Sequence, residues 1–204
     1  MQTRTTKTCK VCGIDFEAWS QAQRLNRFCG PVCAARWGAY QRDRKRDAAN
    51  RKELAKRKEA LKTLGQWTKE AQSAVNLYIR ERDKAKPCIV HGHDCPHSSG
   101  GFHAGHFLSV GSHPELRFNT WNIHKQCAVS NQGSNKYARF SRDSHIAAHY
   151  EKQLRSRIGD DRVDMLKGPH KPKQYRIDDL KRIRRIFNRR ARHYKKLRDM
   201  RDGH

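Results

Sequence analysis

Apolar residues recur at helical spacing from Ala71 onward: Ala71, Ala74, Val75, Tyr78 and Ile79 share one face of a 3.6-residue turn. Thr68 stands where it can cap that helix, and Glu70 lies in the first turn, where the helix dipole favours an acid. Lys86-Pro87 ends it, while Gln72, Asn76 and Arg80 make its polar face. A second amphipathic helix starts near Ile177, with Asp178 and Asp179 in its first turn. Its apolar stripe is Ile177, Leu180, Ile183, Phe187, Ala191, Tyr194 and Leu197. Two helices precede it. One runs from His145 to Ile158, capped by Asp143 or Ser144 and closed by Gly159; the other runs from Asp160 to Lys167 and is closed by Gly168.

The stretch from Gln41 to Lys62 has helix formers, no Pro or Gly, and few apolar positions. It reads as a solvated helix or a partly disordered basic linker. Residues 88–140 are irregular and rich in Gly, His and Cys. Within them, Phe102–His106 reads as a strand ending in Gly-His. Asn122-Ile123-His124-Lys125-Gln126-Cys127 reads as a turn leading into a helix that starts at Cys127. No internal repeat is visible.

Charge narrows the function. The chain has 204 residues, 45 Lys+Arg against 20 Asp+Glu, and a formal net charge of +25. That excess is the electrostatic footprint of a nucleic-acid binder. The alternative is a ribosomal or purely architectural basic protein. Hydrophobic residues make up 35% and mean hydropathy is −1.06, so one or two small domains fit and much of the length must be solvated. The start, Met1 to Lys7, has no apolar signal region, and no apolar run approaches the ~20 residues of a membrane span. A reducing compartment shared with DNA is expected, where seven cysteines argue for metal thiolates over disulfides.

Two thiolate groups stand out. Cys9-x-x-Cys12 and Cys29-x-x-x-Cys33, joined by a segment carrying Gly13, Phe16, Trp19 and Phe28, have the spacing to wrap one tetrahedral zinc ion around a miniature aromatic core. Pro31 suits the first turn of a helix carrying Cys33. Further on, Cys88, Cys95 and Cys127 are the thiolates of a second site, with His91, His93 or His97 completing four ligands.

Phosphodiester hydrolysis needs an activated water, a cation at the phosphate and help for the leaving oxygen. His106 reads as the general base, since imidazole titrates near neutrality. The small residues Ala104-Gly105 before it would let a phosphate or metal approach the backbone. The competing reading of His106 is a zinc ligand or a buried structural histidine. Asn122 reads as a loop organiser. Asn131 and Asn135, one helical turn apart, can face the side of His106, and Asn135 is a candidate metal ligand. On the last helix, Arg182, Arg185, Arg189, Arg192, Lys195 and Lys196 are the candidate phosphate contacts.

The segments Gln72–Asp83, Pro87-Cys88-Ile89, Ala104–Phe107, Leu116–Asn119, Asn122–Cys127 and Ser156–Gly159, in that order behind the cysteine pairs and the basic stretch, resemble the NinG family of lambdoid bacteriophages, the Rap recombination endonucleases. The resemblance covers nearly the whole chain. It implies a structure-specific endonuclease that cuts Holliday junctions and D-loops with a divalent cation, Mg2+ or Mn2+. It also implies a place on DNA in the cytoplasm of a bacterial host, beside phage or host recombination proteins. Cutting two strands symmetrically would suit a homodimer.

The chain departs from the family pattern at three points. His91 stands where a second cysteine is expected after Cys88, Ser130 where one is expected after Cys127, and His103 where an Asp is expected. His91 can replace one thiolate, and Cys95, from the inserted loop 93–101, can supply another.

The expected fold is α+β: a small four-cysteine zinc module (1–40), a basic helical linker (41–67), an HNH-like ββα-metal nuclease core with a zinc knuckle and flanking helices (68–170), and a basic C-terminal helix (171–204). The expected activity is endonucleolytic cleavage of branched DNA. The alternative is a zinc-dependent DNA-binding recombination protein that has lost catalysis through the changes at Ser130 and His103.

Overall fold

A computed structural model describes residues 5–18, 27–93, 95, 101–132 and 144–203. It is a mixed α+β structure with two small sheets. The chain divides into two compact units, 1–62 and 63–204.

In the first unit, β1 (Thr5–Thr8) pairs antiparallel with β2 (Asp15–Ala18), with Thr5 opposite Ala18 and Thr8 opposite Asp15. The turn between them carries Cys9 and Cys12 and closes at Gly13, whose φ of +73° favours glycine. Helix α1 (Pro31–Ala60) opens on Pro31 at its first position and runs for 30 residues without a break, so one helix crosses from the cysteine module into the basic stretch. Within α1, Cys33 is the buried residue. Solvated spacing of charge, not packing, is the stretch's sequence signature.

In the second unit, α2 (Leu64–Arg82) and α6 (Ile177–Asp202) lie against each other. Trp67, Ala71, Ala74, Val75, Tyr78 and Ile79 of α2 pack with Leu180, Phe187 and Ala191 of α6. Tyr78 meets Phe187 at 5.2 Å between ring centroids and Tyr194 at 5.6 Å. Ion pairs of Arg184 with Glu70 and of Arg198 with Glu81 fasten the rims. The helix starts earlier than its apolar pattern suggests. The cap is Thr63, whose Oγ1 accepts from Gln66 N at 3.3 Å while Gln66 Oε1 accepts from Thr63 N at 2.8 Å. Thr68 is a second-turn residue that donates to Leu64 O at 2.8 Å.

β3 (Phe102–His106) pairs antiparallel with β4 (Ile123–Cys127), Phe102 opposite Cys127 and His106 opposite Ile123. The reading of Asn122–Cys127 as a turn entering a helix is therefore corrected. Ile123 to Cys127 is a strand, and the short helix α3 (Ala128–Gln132) begins one residue after Cys127. Both faces of β4 are covered, so the polar-apolar alternation that marks a half-buried strand is absent from its sequence. Helices α4 (Ser144–Ile158) and α5 (Asp160–Lys167) follow, turning at Gly159 with φ +88°. Tyr150, Leu154, Val163 and Leu166 form a second cluster with Cys88, Ile89, Val90, Cys95, Leu116 and Cys127. Among the described residues no helix is long and apolar enough to cross a membrane.

Candidate metal centres and active site

The first cysteine group is assembled by local geometry. Gly13 N donates to Cys9 O at 3.0 Å, which curls Cys9-x-x-Cys12 into a knuckle. Cys12 Sγ lies 3.5 Å from Cys29 Sγ, and Cys29 Sγ lies 3.6 Å from Cys33 Sγ. All four sulfurs fall within 4.8 Å of one another. Four thiolates around zinc at ~2.3 Å would sit about 3.8 Å apart, so the donor set fits that ion. The thiols disturb one another as crowded acids do. Backbone N–H groups around Cys9, that of Cys12 foremost, lower its pKa to about 6, while its thiol neighbours push Cys29 up to about 12. Four sulfurs that crowded cannot all ionise without a cation. Trp19 lies outside the described residues. Phe28 and Trp37 meet at 6.0 Å between ring centroids, tilted by 41°.

The second group repeats the knuckle with one substitution. Gly92, φ +68°, donates to Cys88 O at 2.9 Å, so Cys88-x-x-His91-Gly92 curls like Cys9-x-x-Cys12-Gly13. His91 Nδ1 is 3.8 Å from Cys88 Sγ, 3.8 Å from Cys95 Sγ and 3.4 Å from Cys127 Sγ. These four donors lie within 4.8 Å of one another, and a set of three thiolates and one imidazole can hold zinc. Of the three histidines considered, His91 is in the group; His93 is exposed and outside it, and His97 lies outside the described residues. Ser130, where the family pattern has a fourth cysteine, supports the site instead. Its N–H points to Cys127 Sγ at 3.4 Å and its hydroxyl lies 3.1 Å from the same sulfur. Cys95 is the third thiol of the group. Cys127 N donates to Cys88 Sγ at 3.3 Å, tying the knuckle to β4.

His106 ends β3. Its Nε2 is 3.0 Å from Arg117 O. A carbonyl accepts only, so the proton sits on Nε2 and Nδ1 keeps its lone pair. Burial lowers the His106 pKa, which keeps the ring neutral. Nδ1 makes no hydrogen bond among the described residues. Asn122 is fully buried and holds the far side of the loop: Leu108 N donates to its Oδ1 at 2.8 Å and its Nδ2 donates to Leu108 O at 2.9 Å. Phe107 N donates to Asn122 O at 2.8 Å, next to His106.

Two expectations about this strand change. Gly105 is not an opening for a ligand. A Cβ there would fall 1.8 Å from Gln126 Oε1, so the missing side chain makes room for Gln126, and Gly105 O accepts from the Tyr150 hydroxyl at 3.0 Å. Asn131 lies against His103: its Nδ2 is 3.1 Å from His103 Nδ1, and His103 and His106, three apart on a strand, point to opposite faces. Asn135 lies outside the described residues.

A buried polar network that spacing does not reveal fixes the Asn122 turn. Arg82 grips Asp83 with two bonds of 2.6 and 2.8 Å, and donates to Thr120 O and Ile123 O at 2.9 Å each. Burial alone would raise the Asp83 pKa; the Arg82 guanidinium overrides it and holds it at about 2. His124 donates from Nε2 to Trp121 O at 3.0 Å, and its Nδ1 lies 3.2 Å from Arg82 Nη2. Burial first, then Arg82, lowers its pKa to about 3, so it stays neutral. His124 is thus a structural acceptor and no zinc ligand. The Arg82-Asp83 dipeptide at a helix end, followed by Lys86, is the available signal.

On α6, Arg182, Arg185, Arg189, Arg192 and Lys196 recur at steps of three and four, a stripe roughly 200° from Leu180 and Phe187. These residues and Lys195 are exposed, and none pairs with an acid among the described residues. The stripe spans about 21 Å of helix.

The family model described as Bacteriophage Lambda NinG protein matches residues 1–198. Protein ninG of Escherichia phage lambda is 34% identical over 190 aligned positions, covering 86% of this chain and 84% of that protein. Protein ninG of Salmonella phage P22 is 34% identical over 218 positions, covering 100% and 98%. Protein ninG of Escherichia phage 933W is 35% identical over 212 positions, covering 97% and 94%. No solved structure matches. With its cysteine groups, its β3–β4 hairpin and most of its terminal basic helix inside the matched range, the chain belongs to the NinG family of bacteriophage proteins.

Proposed function

We propose that this chain is a metal-dependent endonuclease for branched recombination DNA, with an HNH-like ββα centre formed by β3, β4 and α3. The observation that carries the reading is the state of His106: neutral, proton fixed on Nε2 by Arg117 O, Nδ1 without a hydrogen bond among the described residues, beside a loop pinned by buried Asn122. A general base needs that lone pair near neutral pH. Nδ1 would take the proton of a water attacking phosphorus. The bond from phosphorus to the leaving ester oxygen breaks, and that oxygen takes a proton from solvent. A divalent cation would neutralise charge on the phosphate when bound.

His103 and Asn131 lie on the opposite face of β3 from His106, so they are not ligands for a cation at the His106 centre, and both Mg2+ and Mn2+ are tested. The exposed α6 stripe would hold phosphates without reading sequence. Recombination partners and a homodimer belong to the same proposal, through the symmetric cutting that resolves a junction.

The second reading, a zinc-dependent DNA-binding protein without catalysis, draws on His103. It stands where the family pattern has a carboxylate, and it is occupied with Asn131. One assay separates the two. Wild type and His106→Ala are compared for binding and nicking of the same synthetic four-way junction, with Mn2+ and with Mg2+. Cleavage should fall by about 10²–10⁴-fold in the variant while binding stays. Equal cleavage by both would move the active site elsewhere. No cleavage by wild type with either ion would leave the binding reading.

A further inference from the structure

The turn that carries Asn122 is fixed far more firmly than its length requires. Asn122 N donates to Asn119 O at 3.0 Å, Trp121 N to Asn119 Oδ1 at 2.9 Å, Arg82 to Thr120 O at 2.9 Å, and His124 to Trp121 O at 3.0 Å. Three buried polar residues, Asp83, His124 and Asn122, support it from below. Yet at its apex the turn presents the indole of Trp121, 39% exposed. The contrast with Trp67, 1% exposed in the helix-pair core, shows that this chain buries a tryptophan where packing calls for one. Over the Trp121 ring, at 5.2 Å from its centroid, lies the exposed guanidinium of Arg162. Trp121 is two residues from Ile123, the partner of His106 across the hairpin, within about 7 Å of chain.

We infer that the Trp121–Arg162 pair is a stacking clamp for one unstacked base at a DNA branch point, placed beside the His106 centre. This rests on the endonuclease reading for the identity of the nucleic acid. The chemistry is selective by itself. Within a duplex the bases offer only their edges in the grooves, so an indole on a rigid turn has nothing to stack on. At a branch point a base can leave the stack and expose its π-face, which an aromatic ring accepts whatever the sequence. The guanidinium adds a cation for the neighbouring phosphate and polarises the indole from the other side. A rigid turn suits this task, because no ordering of the protein opposes binding.

The test uses the full zinc-loaded chain, a four-way junction with 2-aminopurine at the branch point, and a linear duplex of the same sequence. Stacking on the indole quenches 2-aminopurine emission. Wild type should quench it, Trp121→Phe should quench in part, and Trp121→Ala should not. Junction affinity of Trp121→Ala should fall about 5- to 150-fold, the range for losing one base stack, while affinity for the linear duplex and zinc content stay unchanged. Unchanged quenching and junction affinity in Trp121→Ala would overturn the inference even if wild type cuts junctions. Equal losses on junction and duplex would overturn it too, since a stacking clamp acts only at the branch. Quenching that depends on Trp121 in a chain that never cleaves would uphold the clamp and defeat the nuclease reading.

Discussion

The two cysteine-rich centres use the same knuckle and stand in opposite relations to their surroundings. At Cys9, Cys12, Cys29 and Cys33, two ligands are exposed, and among the described residues of that unit the buried ones are Cys9, Ala18 and Cys33. The ligands are themselves most of the core. At Cys88, His91, Cys95 and Cys127, three buried thiols join a cluster that also holds Ile89, Val90, Leu116, Tyr150, Leu154, Val163 and Leu166. There a metal would be added to a core that apolar burial already favours. The lesson is that one ligand geometry can be the fold of one unit and a brace for a site in the other.

The largest expected effect comes from chelation, which strips both centres. Structural zinc contributes about 10–16 kcal/mol to domains that lack another core. Residues 1–62 should then become protease-sensitive. The α2–α6 pair should persist, because its cluster of Trp67, Val75, Ile79, Leu180 and Phe187 contains no ligand. Limited proteolysis with and without chelator reads this directly. A first unit that stays protected without zinc, or a single shared melting transition, would break the comparison.

Acid should act on the second unit next, through a group that residues 1–62 lack: a histidine, His124, buried as a neutral ring. Its pKa is about 3 when folded against 6.5 ordinarily. Below pH 6.5 the unfolded chain binds a proton that the folded chain refuses. Its stabilising contribution is thus complete above 6.5 and drains as pH falls toward 3, by up to about 1.4 kcal/mol per pH unit. Asp83, at about 2 against 3.8, adds a later loss confined to pH below 3.8. Denaturant unfolding of the second unit between pH 7 and 4 should slope downward, and His124→Gln should flatten the slope. An equal slope in the variant would mean that other groups govern it.

How much of this is legible in the sequence follows from distance along the chain. The first centre is readable because its ligands form two short-range pairs. The second is readable in outline, since Cys88, His91, Cys95 and Cys127 can be named, but the choice among His91, His93 and His97 needs the Gly92 turn. The Arg82–Asp83–His124 network joins residues 41 and 42 apart, and no periodicity encodes such contacts. β4 hides because burial on both faces erases alternation. Gly105 misleads because its small size serves Gln126, a neighbour on the other strand. The Thr63-x-x-Gln66 capping box is visible as a pattern; the stronger apolar run after Thr68 draws the expected helix start downstream.

A third effect tests whether Cys95 truly replaces the family's missing thiolate. Cys95→Ser should weaken zinc binding at the second centre by more than the roughly 10–100-fold that losing a mere supporting partner costs, because Cys95 is one of the four donors. Ser130 already lies 3.1 Å from Cys127 Sγ, so Ser130→Cys added to that variant should restore most of the affinity. A chelator competition titration compares the three proteins. No rescue would mean that position 130 points its side chain only at Cys127 and cannot reach the metal.

The smallest effect sits where the chain passes from one unit to the next. Thr63 is the first residue of the second unit and caps α2 through a reciprocal pair with Gln66. Replacing a capping Thr by Ala costs about 1 kcal/mol, because a backbone N–H of the first turn loses its acceptor. For a unit of this size that is a drop in Tm of roughly 3–5 °C. The loss should appear only in the melting of the α2–α6 core. Zinc release from Cys9, Cys12, Cys29 and Cys33 should keep its midpoint, since those ligands belong to the first unit and the cap to the second. Differential scanning calorimetry of Thr63→Ala, with zinc release followed in parallel by a chromogenic chelator, measures both at once. A shift in zinc release matching the shift in Tm would show that the two units fold as one, and the contrast between a metal that makes a core and a metal that braces one would lose its basis.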